Sequence, residues 1–551
     1  MTKVQTSILL ILTACTSVSS ALSNHYSQRE LNEEKVVASN WQQHSPEYEA
    51  LVYQSFNMAR DNLANALSQL SKGERAEGKR AAIVTDIDDT LIDGTTYFSS
   101  MVGTDGVRNI DASMSWWQTQ RMEALPGAVD FLNEANNKGV EIFYISGRFN
   151  EAKEVSMAKL KQLGFPIKGP EYFLFQTTDN ETLSKEEHRQ KIRDKGYHIL
   201  MLLGDQLDDL AEVQGRYFTQ RQQWVHQNRS HFSKDWISLP NLVYGSWESA
   251  VVTEGFSQLS PRQKHDANLD ALGHSYFSQI QDPTFARHNI NAMLWVNASA
   301  DYHALTYQAY NHATGMLEKL DQKTMENPVI VVDINGTILQ YTPLKPDLNQ
   351  PAPGSEGHDY SWFLKRQKQA KPTSGALEFL AAAKAKGFDI FYISEQPVSS
   401  GLPGSSKDIE ELIVGELKEL GYPDADETHV VSKEEYCSEA EPKDCTKTIQ
   451  RRAITGGRVD NKKHQVALYI SDTLSDFDLE EKGFDPDLKT SVAANKDLFG
   501  RQYMVIPNPI NTRRLVTLYN DYAGTPMSDL SSEEQASIRL KMIRDWPEKP
   551  F

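Results

Sequence analysis

Residues 83–91 read IVTDIDDTL, and residues 330–338 read IVVDINGTI. In each, a short apolar run passes straight into an aspartate. Apolar runs of this kind, without polar alternation, are strands buried on both faces, as in a parallel sheet covered by helices. Similar runs at 140–145 and 199–203 are separated from the first by helical stretches such as 128–138 and 151–163. The pattern predicts an α/β fold with crossover helices between parallel strands. Ligands of such sheets sit beyond the carboxyl ends of the strands, which is where Asp86 would stand.

The two stretches belong to a duplication. ASNWQQHSPEYEALVYQSFN from Ala38 matches AMLWVNASADYHALTYQAYN from Ala292, pairing Trp41 with Trp295, Tyr48 with Tyr302 and Tyr53 with Tyr307. IFYISGR from Ile142 matches IFYISEQ from Ile390, Lys185 and Arg189 match Lys447 and Arg451, and LLGDQLDDL from Leu202 matches YISDTLSDF from Tyr469. Leu239-Pro240-Asn241 and Ile506-Pro507-Asn508 close the two copies. A chain of 551 residues is too long for one core at roughly 100–200 residues per domain. The predicted domains are 25–255 and 284–530, with a polar linker at 256–283 and a short charged appendage at 531–551.

The chemistry gathers in the first copy. Alternate residues leaving a strand face the same way, so Asp86 and Asp88 can converge while Ile87 turns into the core. Two close carboxylates repel unless a cation shares them, and a hard divalent ion with oxygen ligands, magnesium for phosphate chemistry, meets that need. Asp205 ends the third strand and brings a further carboxylate, with Gly204 giving room. Ser146, in Ser146-Gly147-Arg148, ends the second strand, where a hydroxyl and nearby N–H groups can hold phosphate oxygens. Lys185 offers a point positive charge. Taken singly, each has a plainer explanation: a capped turn at Thr90, a strand-to-helix turn at Gly147, a solvated helix face for Lys185, His188 and Arg189, helix-start acids at Asp208 and Asp209. Four such motifs in order at strand ends favour catalysis.

This ordered set resembles the haloacid dehalogenase (HAD) superfamily. More narrowly, Asn40-Trp41, the helix from Glu47 to Gln54, Pro240-Asn241 and Tyr244-Gly245-x-Trp247-Glu248 look like the class C bacterial acid phosphatases of the lipoprotein e group. The resemblance covers about 31–248. It implies two tandem HAD-like, Rossmann-like domains, each with a small helical cap, and a two-step phosphoryl transfer. Asp86 would attack phosphorus while Asp88 protonates the leaving oxygen and later activates water. Asp86, Asp88 and Asp205 would hold Mg2+, Ser146 and Lys185 would stabilise the phosphoryl oxygens, and Thr90, Gly147 and Asp209 would support them. Substrates are expected to be small phosphomonoesters, nucleoside monophosphates among them, with Tyr97, Trp116, Trp117 and Tyr244 as candidate stacking residues. The run Asp93-Gly94 departs from the group, which commonly carries asparagine where Gly94 stands, so substrate preference can differ.

The second copy keeps Asp333, Ser394, Lys447 and Asp472. It replaces Asp88 by Asn335, Gly147-Arg148 by Glu395-Gln396 and Gly204 by Ser471. An amide cannot exchange a proton near neutral pH, so this copy is expected not to turn over phosphate esters.

The leader and the composition place the protein. Lys3, the apolar run 7–12 and Leu12-Thr13-Ala14-Cys15 form an export signal over 1–21. The tetrapeptide resembles a lipobox whose cysteine is lipidated; an ordinary signal cleaved near Ser20 or Ala21 is the alternative. The expected location is the bacterial cell envelope, exported and lipid-anchored to the outer membrane. In that oxidising setting Cys437 and Cys445 are expected to close a small disulfide loop rather than hold zinc. The net charge of −18 argues against a nucleic-acid polymer as partner. A homodimer stays open. So do two other functions: a lipoprotein that captures phosphorylated nutrients without turnover, and phosphoryl transfer to an alcohol.

Overall fold

The structure, a computed structural model, describes residues 26–70, 78–119, 121–177, 183–213, 217–252, 254–273, 283–340, 370–394, 406–432, 436, 447–479 and 488–544. Cys15, Cys437 and Cys445, with the expected lipidation and disulfide, lie outside these residues.

Two five-stranded parallel sheets carry the chain. The first is ordered β3-β2-β1-β4-β5, with β1 Arg80–Thr85, β2 Glu141–Phe149, β3 Phe173–Gln176, β4 Tyr197–Gly204 and β5 Trp236–Ser238. The second repeats it as β10-β9-β6-β11-β12, with β6 Pro328–Asp333, β9 Asp389–Ser394, β10 Val430–Ser432, β11 Gln465–Ser471 and β12 Tyr503–Val505. A short hairpin pairs β7 Leu339–Gln340 with β8 Lys371–Pro372. Registers match between copies: β1 sets Val84 beside Phe143 and Leu202, as β6 sets Val331 beside Phe391 and Tyr469. The central strands are buried on both faces, as their unbroken apolar runs require.

Each copy is introduced by a helix built the same way. Ser45 accepts from the Glu47 N–H and Pro46 takes the first turn of Pro46–Gln69. Ser299 caps Ala300–Lys319 through the Asp301 N–H. Trp41 packs edge-on against Tyr48 at 5.7 Å, and Trp295 against Tyr302 at 5.3 Å. One continuous apolar cluster holds Trp41, Ile83 and Phe131 of the first copy together with Trp295, Val331 and Tyr503 of the second. The two copies share a core.

Two stretches read as accessories are structured. Within the expected linker, Ser260 caps a helix, Pro261–Leu272, whose His265 and Asn268 bond the buried Glu34. Beyond 530, the expected charged appendage contains helix Ser532–Arg544. Gln535, Arg539, Met542 and Ile543 are buried, spaced so as to share one face, and the Arg539 carbonyl accepts from Asn40.

Candidate active site

Every expected motif of the first copy lies at the carboxyl end of its sheet. Asp86 follows β1, Ser146 ends the regular part of β2, Asp205 follows β4, and Lys185 opens helix Lys185–Asp194. Asp86, Asp205 and Asp209 offer carboxylate oxygens all within 4.8 Å of one another. The Lys185 ammonium donates to Asp86 Oδ1 at 2.7 Å and to Asp209 Oδ1. Asp209 accepts on its other oxygen from the Gln206 N–H at 3.0 Å. Asp205 accepts from Thr90 Oγ1 at 3.0 Å and Asn241 Nδ2 at 2.8 Å. A Cβ on Gly204 would stand 2.1 Å from Asp209 Cβ, so glycine there lets Asp209 approach.

One ammonium does not balance three buried carboxylates. Burial pushes Asp86 up to about 7, Lys185 opposing and Asp209 and Asp88 adding to the rise. Asp205 is held well above the ordinary carboxylate range by burial and by Asp209, Asp86 and Asp89. Burial alone would lower Lys185, but Asp209 and Asp86 carry it above its usual value. An all-oxygen donor set with surplus negative charge fits a hard divalent cation.

Asp88, expected among the metal ligands, turns its carboxylate elsewhere. Arg148 donates to both of its oxygens, at 2.8 and 2.6 Å. The guanidinium is itself buried, bonded to Ser156 Oγ at 2.7 Å and set over the Trp117 ring at 5.0 Å. Sequence reasoning did not single out Arg148 as a partner of Asp88, although the second copy loses the aspartate and the arginine together.

Asp89 was also missed. It adopts φ 52°, is fully buried, and accepts from Tyr244 Oη at 2.6 Å, Thr95 Oγ1 at 3.2 Å and the Gly94 N–H at 3.2 Å. A Cβ at Gly94 would meet Asp89 Oδ2 at 2.7 Å, so the asparagine common in the resembled group would require this carboxylate to shift. His188, expected on a solvated face, is buried, and burial lowers its imidazole. Arg189 is buried too, donating to the Asp209 carbonyl at 2.8 Å.

Above the carboxylates lies a cavity of about 220 Å3, lined by Asp86, Asp88, Ser146, Lys185 and the aromatic candidates. Tyr244 is stacked under Phe98 at 3.5 Å, and Trp117 carries Arg148, so both are engaged by the protein. Tyr97 and Trp116, stacked 5.9 Å apart, are half-buried in the wall. Gly147 also lines the cavity, where a Cβ would meet nothing within 4 Å.

A family model described as HAD superfamily, subfamily IIIB (Acid phosphatase), matches residues 3–247 and again 275–513. The chain belongs to this family. Both copies of the duplication are members, the altered second one included. Vegetative storage protein 1 of Arabidopsis thaliana is 28% identical over 143 residues, 24% of this chain and 51% of that protein. The stem 28 kDa glycoprotein of Glycine max is 27% identical over 135 residues, 23% and 51%. The chain thus spans about half the length of these curated relatives. Among solved structures, the class C acid phosphatase from Bacillus anthracis with tungstate bound is 30% identical, with a TM-score of 0.40 and coverage of 44% of this chain and 97% of that one.

The second subsite of this acid phosphatase-family chain repeats the first with substitutions. Asp333, Asp472 and Asp476 gather within 4.8 Å, and Lys447 donates to Asp333 and Asp476. Asp472 is satisfied by Asn508 at 2.6 Å and Asn511 at 2.9 Å, and Asp333 by the Thr337 hydroxyl at 3.0 Å. Ser471, in the place of Gly204, donates to Asp476. The Lys447 side chain is 4% exposed, against 21% for Lys185, so the second lysine is withdrawn from solvent.

Proposed function

We propose that the first copy hydrolyses phosphomonoesters through an aspartyl-phosphate on Asp86. The observation that carries this reading is the buried group Asp86, Asp205 and Asp209 around Lys185 at the base of a cavity, beside an Asp88 held apart by Arg148. A phosphate ester enters with its phosphorus facing Asp86. Lys185 and the Ser146 hydroxyl hold equatorial oxygens, so positioning and charge do most of the work. An Asp86 oxygen forms the new bond to phosphorus as the ester oxygen leaves. Asp88, oriented by Arg148 and with one oxygen released from it to carry a proton, would give that proton to the leaving oxygen and then take one from the water that opens the intermediate.

Asp86 and Asp205, with Asp209 completing a group of carboxylate oxygens within 4.8 Å of one another, are the side chains that would hold magnesium. The ion supplies positive charge against the phosphoryl oxygens. Tyr97 and Trp116, half-buried in the cavity wall, suit a nucleoside base, which favours nucleoside monophosphates within the phosphomonoester class. Export with a lipid anchor on Cys15 completes the reading; among the described residues no helix is long and apolar enough to cross a membrane.

The test uses the purified mature chain on nucleoside monophosphates, sugar phosphates and phosphotyrosine, with magnesium and then with chelator. Hydrolysis that chelator abolishes and Asp86→Asn removes is expected. Phosphate release indifferent to chelator removes the metal from the mechanism. Ester binding without release favours the capture function, and phosphate passed to an added alcohol favours the transferase.

A further inference from the structure

The two copies hold each other by bonds that repeat across the duplication. Gln54 sits on the first copy's long helix, Pro46–Gln69, yet bonds β12 of the second copy, its Oε1 accepting from the Val505 N–H at 2.8 Å and its Nε2 donating to the Val505 carbonyl at 2.9 Å. Gln308, its counterpart on Ala300–Lys319, does the same to β5 of the first copy, with Ser238 N–H at 2.7 Å and Ser238 carbonyl at 2.9 Å. The acids near the starts of these helices are also exchanged. Asp301 Oδ1 accepts from the Leu207 N–H at 3.1 Å, and Glu47 Oε1 from the equivalent Leu474 N–H at 3.4 Å.

Leu207 lies two residues after Asp205 and two before Asp209. Ser238 is paired with Gly204 across β4 and β5 and leads to Asn241, which bonds Asp205. The second copy therefore grips the segment that carries Asp205 and Asp209 and the segment that leads to Asn241, the amide that bonds Asp205. Asp301 and Gln308 are themselves buried, so the bonds they make are not exchanged for water.

From this we infer that the altered copy is a built-in partner subunit, and that Asp301, with Gln308 beside it, is a positioning residue for the first copy's Asp205–Asp209 loop. The inference rests on the proposed phosphatase site. It gives the second copy a role that needs neither a proton-transferring carboxylate nor an open pocket of its own. Glu47 supplies an internal control. Its other oxygen accepts from Ser45 at 2.6 Å and Arg514 at 3.1 Å, so its removal disturbs the junction at least as much as removal of Asp301.

The experiment compares Asp301→Ala, Asp301→Asn and Glu47→Ala in the full mature chain. Two readings are taken: kcat on a simple phosphomonoester, and Mn2+ affinity by paramagnetic resonance. The affinity is measured with Asp472→Asn also present, so that the first copy's carboxylates dominate. Asp301→Ala is expected to lower kcat and Mn2+ affinity on the order of 10- to 100-fold. Asp301→Asn, which keeps an acceptor oxygen, recovers most of both, and Glu47→Ala changes neither. Equal losses from Glu47→Ala, or an Asp301→Ala chain within twofold of the parent, overturn the inference. Should Asp301→Ala not fold, Gln308→Met is read in the same way, with a smaller loss expected and no loss counting against the inference. A parent chain without hydrolysis defeats the phosphatase reading, while the Mn2+ titration still decides whether Asp301 positions the loop.

Discussion

The two carboxylate clusters differ less in what they contain than in what satisfies them. Both gather three aspartates around a lysine. In the second copy Thr337, Asn508 and Asn511 bond Asp333 and Asp472, and the lysine is almost fully buried. In the first, Thr90 bonds Asp205 rather than Asp86, Tyr244 stands where Asn511 does and bonds Asp89, and Lys185, which donates to Asp86, is partly open to solvent. Burial raises the aspartates of both clusters. The cluster that faces a cavity is thus the one whose nucleophile position lacks the threonine bond and whose lysine stays open to solvent. Chain donors in the same place convert it into a structural ion-pair cluster. The cluster can therefore survive in a copy that has lost Asp88 and Arg148.

The largest expected difference between the copies is in the nucleophile. Asp86→Asn should lower kcat on a generic phosphomonoester by on the order of 10^4-fold or more, since the covalent route is closed. Asp333→Asn should leave kcat near the parent. Retained activity in the first variant with loss in the second would exchange the roles of the two copies.

Proton transfer comes next. Asp88→Asn makes the first copy resemble the second at Asn335 and should cost about 10^2- to 10^4-fold in kcat, most for poor leaving groups. The reverse change, Asn335→Asp in an Asp86→Asn chain, should restore nothing, because the aligned sequence has Gln396 in place of the arginine that fixes Asp88. A measurable gain of hydrolysis there would make Asp88 sufficient without its arginine.

The lysines divide activity from stability. Lys447→Ala leaves Asp333 and Asp476 buried without a counter-charge, a change that should destabilise the chain by about 3–5 kcal/mol in denaturant titration. Lys185→Ala should abolish most activity but cost less stability, because water reaches its more exposed surroundings. Equal stability losses would mean that the first cluster is as closed as the second.

The strands, their parallel order, the duplication and the placing of Asp86, Ser146, Lys185 and Asp205 at strand ends were legible because they follow from local apolar runs and the residues that end them. Partners supplied by distant parts of the chain were not. Arg148 reads as the end of a strand motif until β2 and β1 pair and bring it to Asp88. Gln54 and Gln308 stand in aligned Tyr-Gln pairs, and the signal was present in the repeat, but their bonds to the other copy's edge strand depend on how the copies dock. The helix Ser532–Arg544 read as a charged appendage because charged residues are spread along it among the apolar ones. Its buried face includes an arginine, Arg539, whose Nε donates to His288 Nδ1 at 3.1 Å.

That bond carries the smallest of the expected differences, in pH dependence. By the offset that pairs Trp41 with Trp295, His288 is the counterpart of Glu34, and both are buried. Glu34 accepts from His265, Asn268 and Tyr26, while His288 accepts from Arg539 and must be neutral to do so. Burial first, then Arg539 and Arg287, hold its imidazole well below the ordinary value. An unfolded histidine takes up a proton near pH 6.5, which the folded one refuses, so this residue's contribution to stability is intact above that pH and is lost as pH falls below it. The slope from one such group is at most about 1.4 kcal/mol per pH unit. His288→Gln keeps an acceptor for Arg539 but does not titrate. Denaturant midpoints of the two chains at pH 7, 6 and 5, with chelator present to keep the carboxylate clusters metal-free, should converge as pH falls. A deficit that stays constant across that range would mean the imidazole binds protons equally in both states, and the docking of the C-terminal helix would then be indifferent to acid.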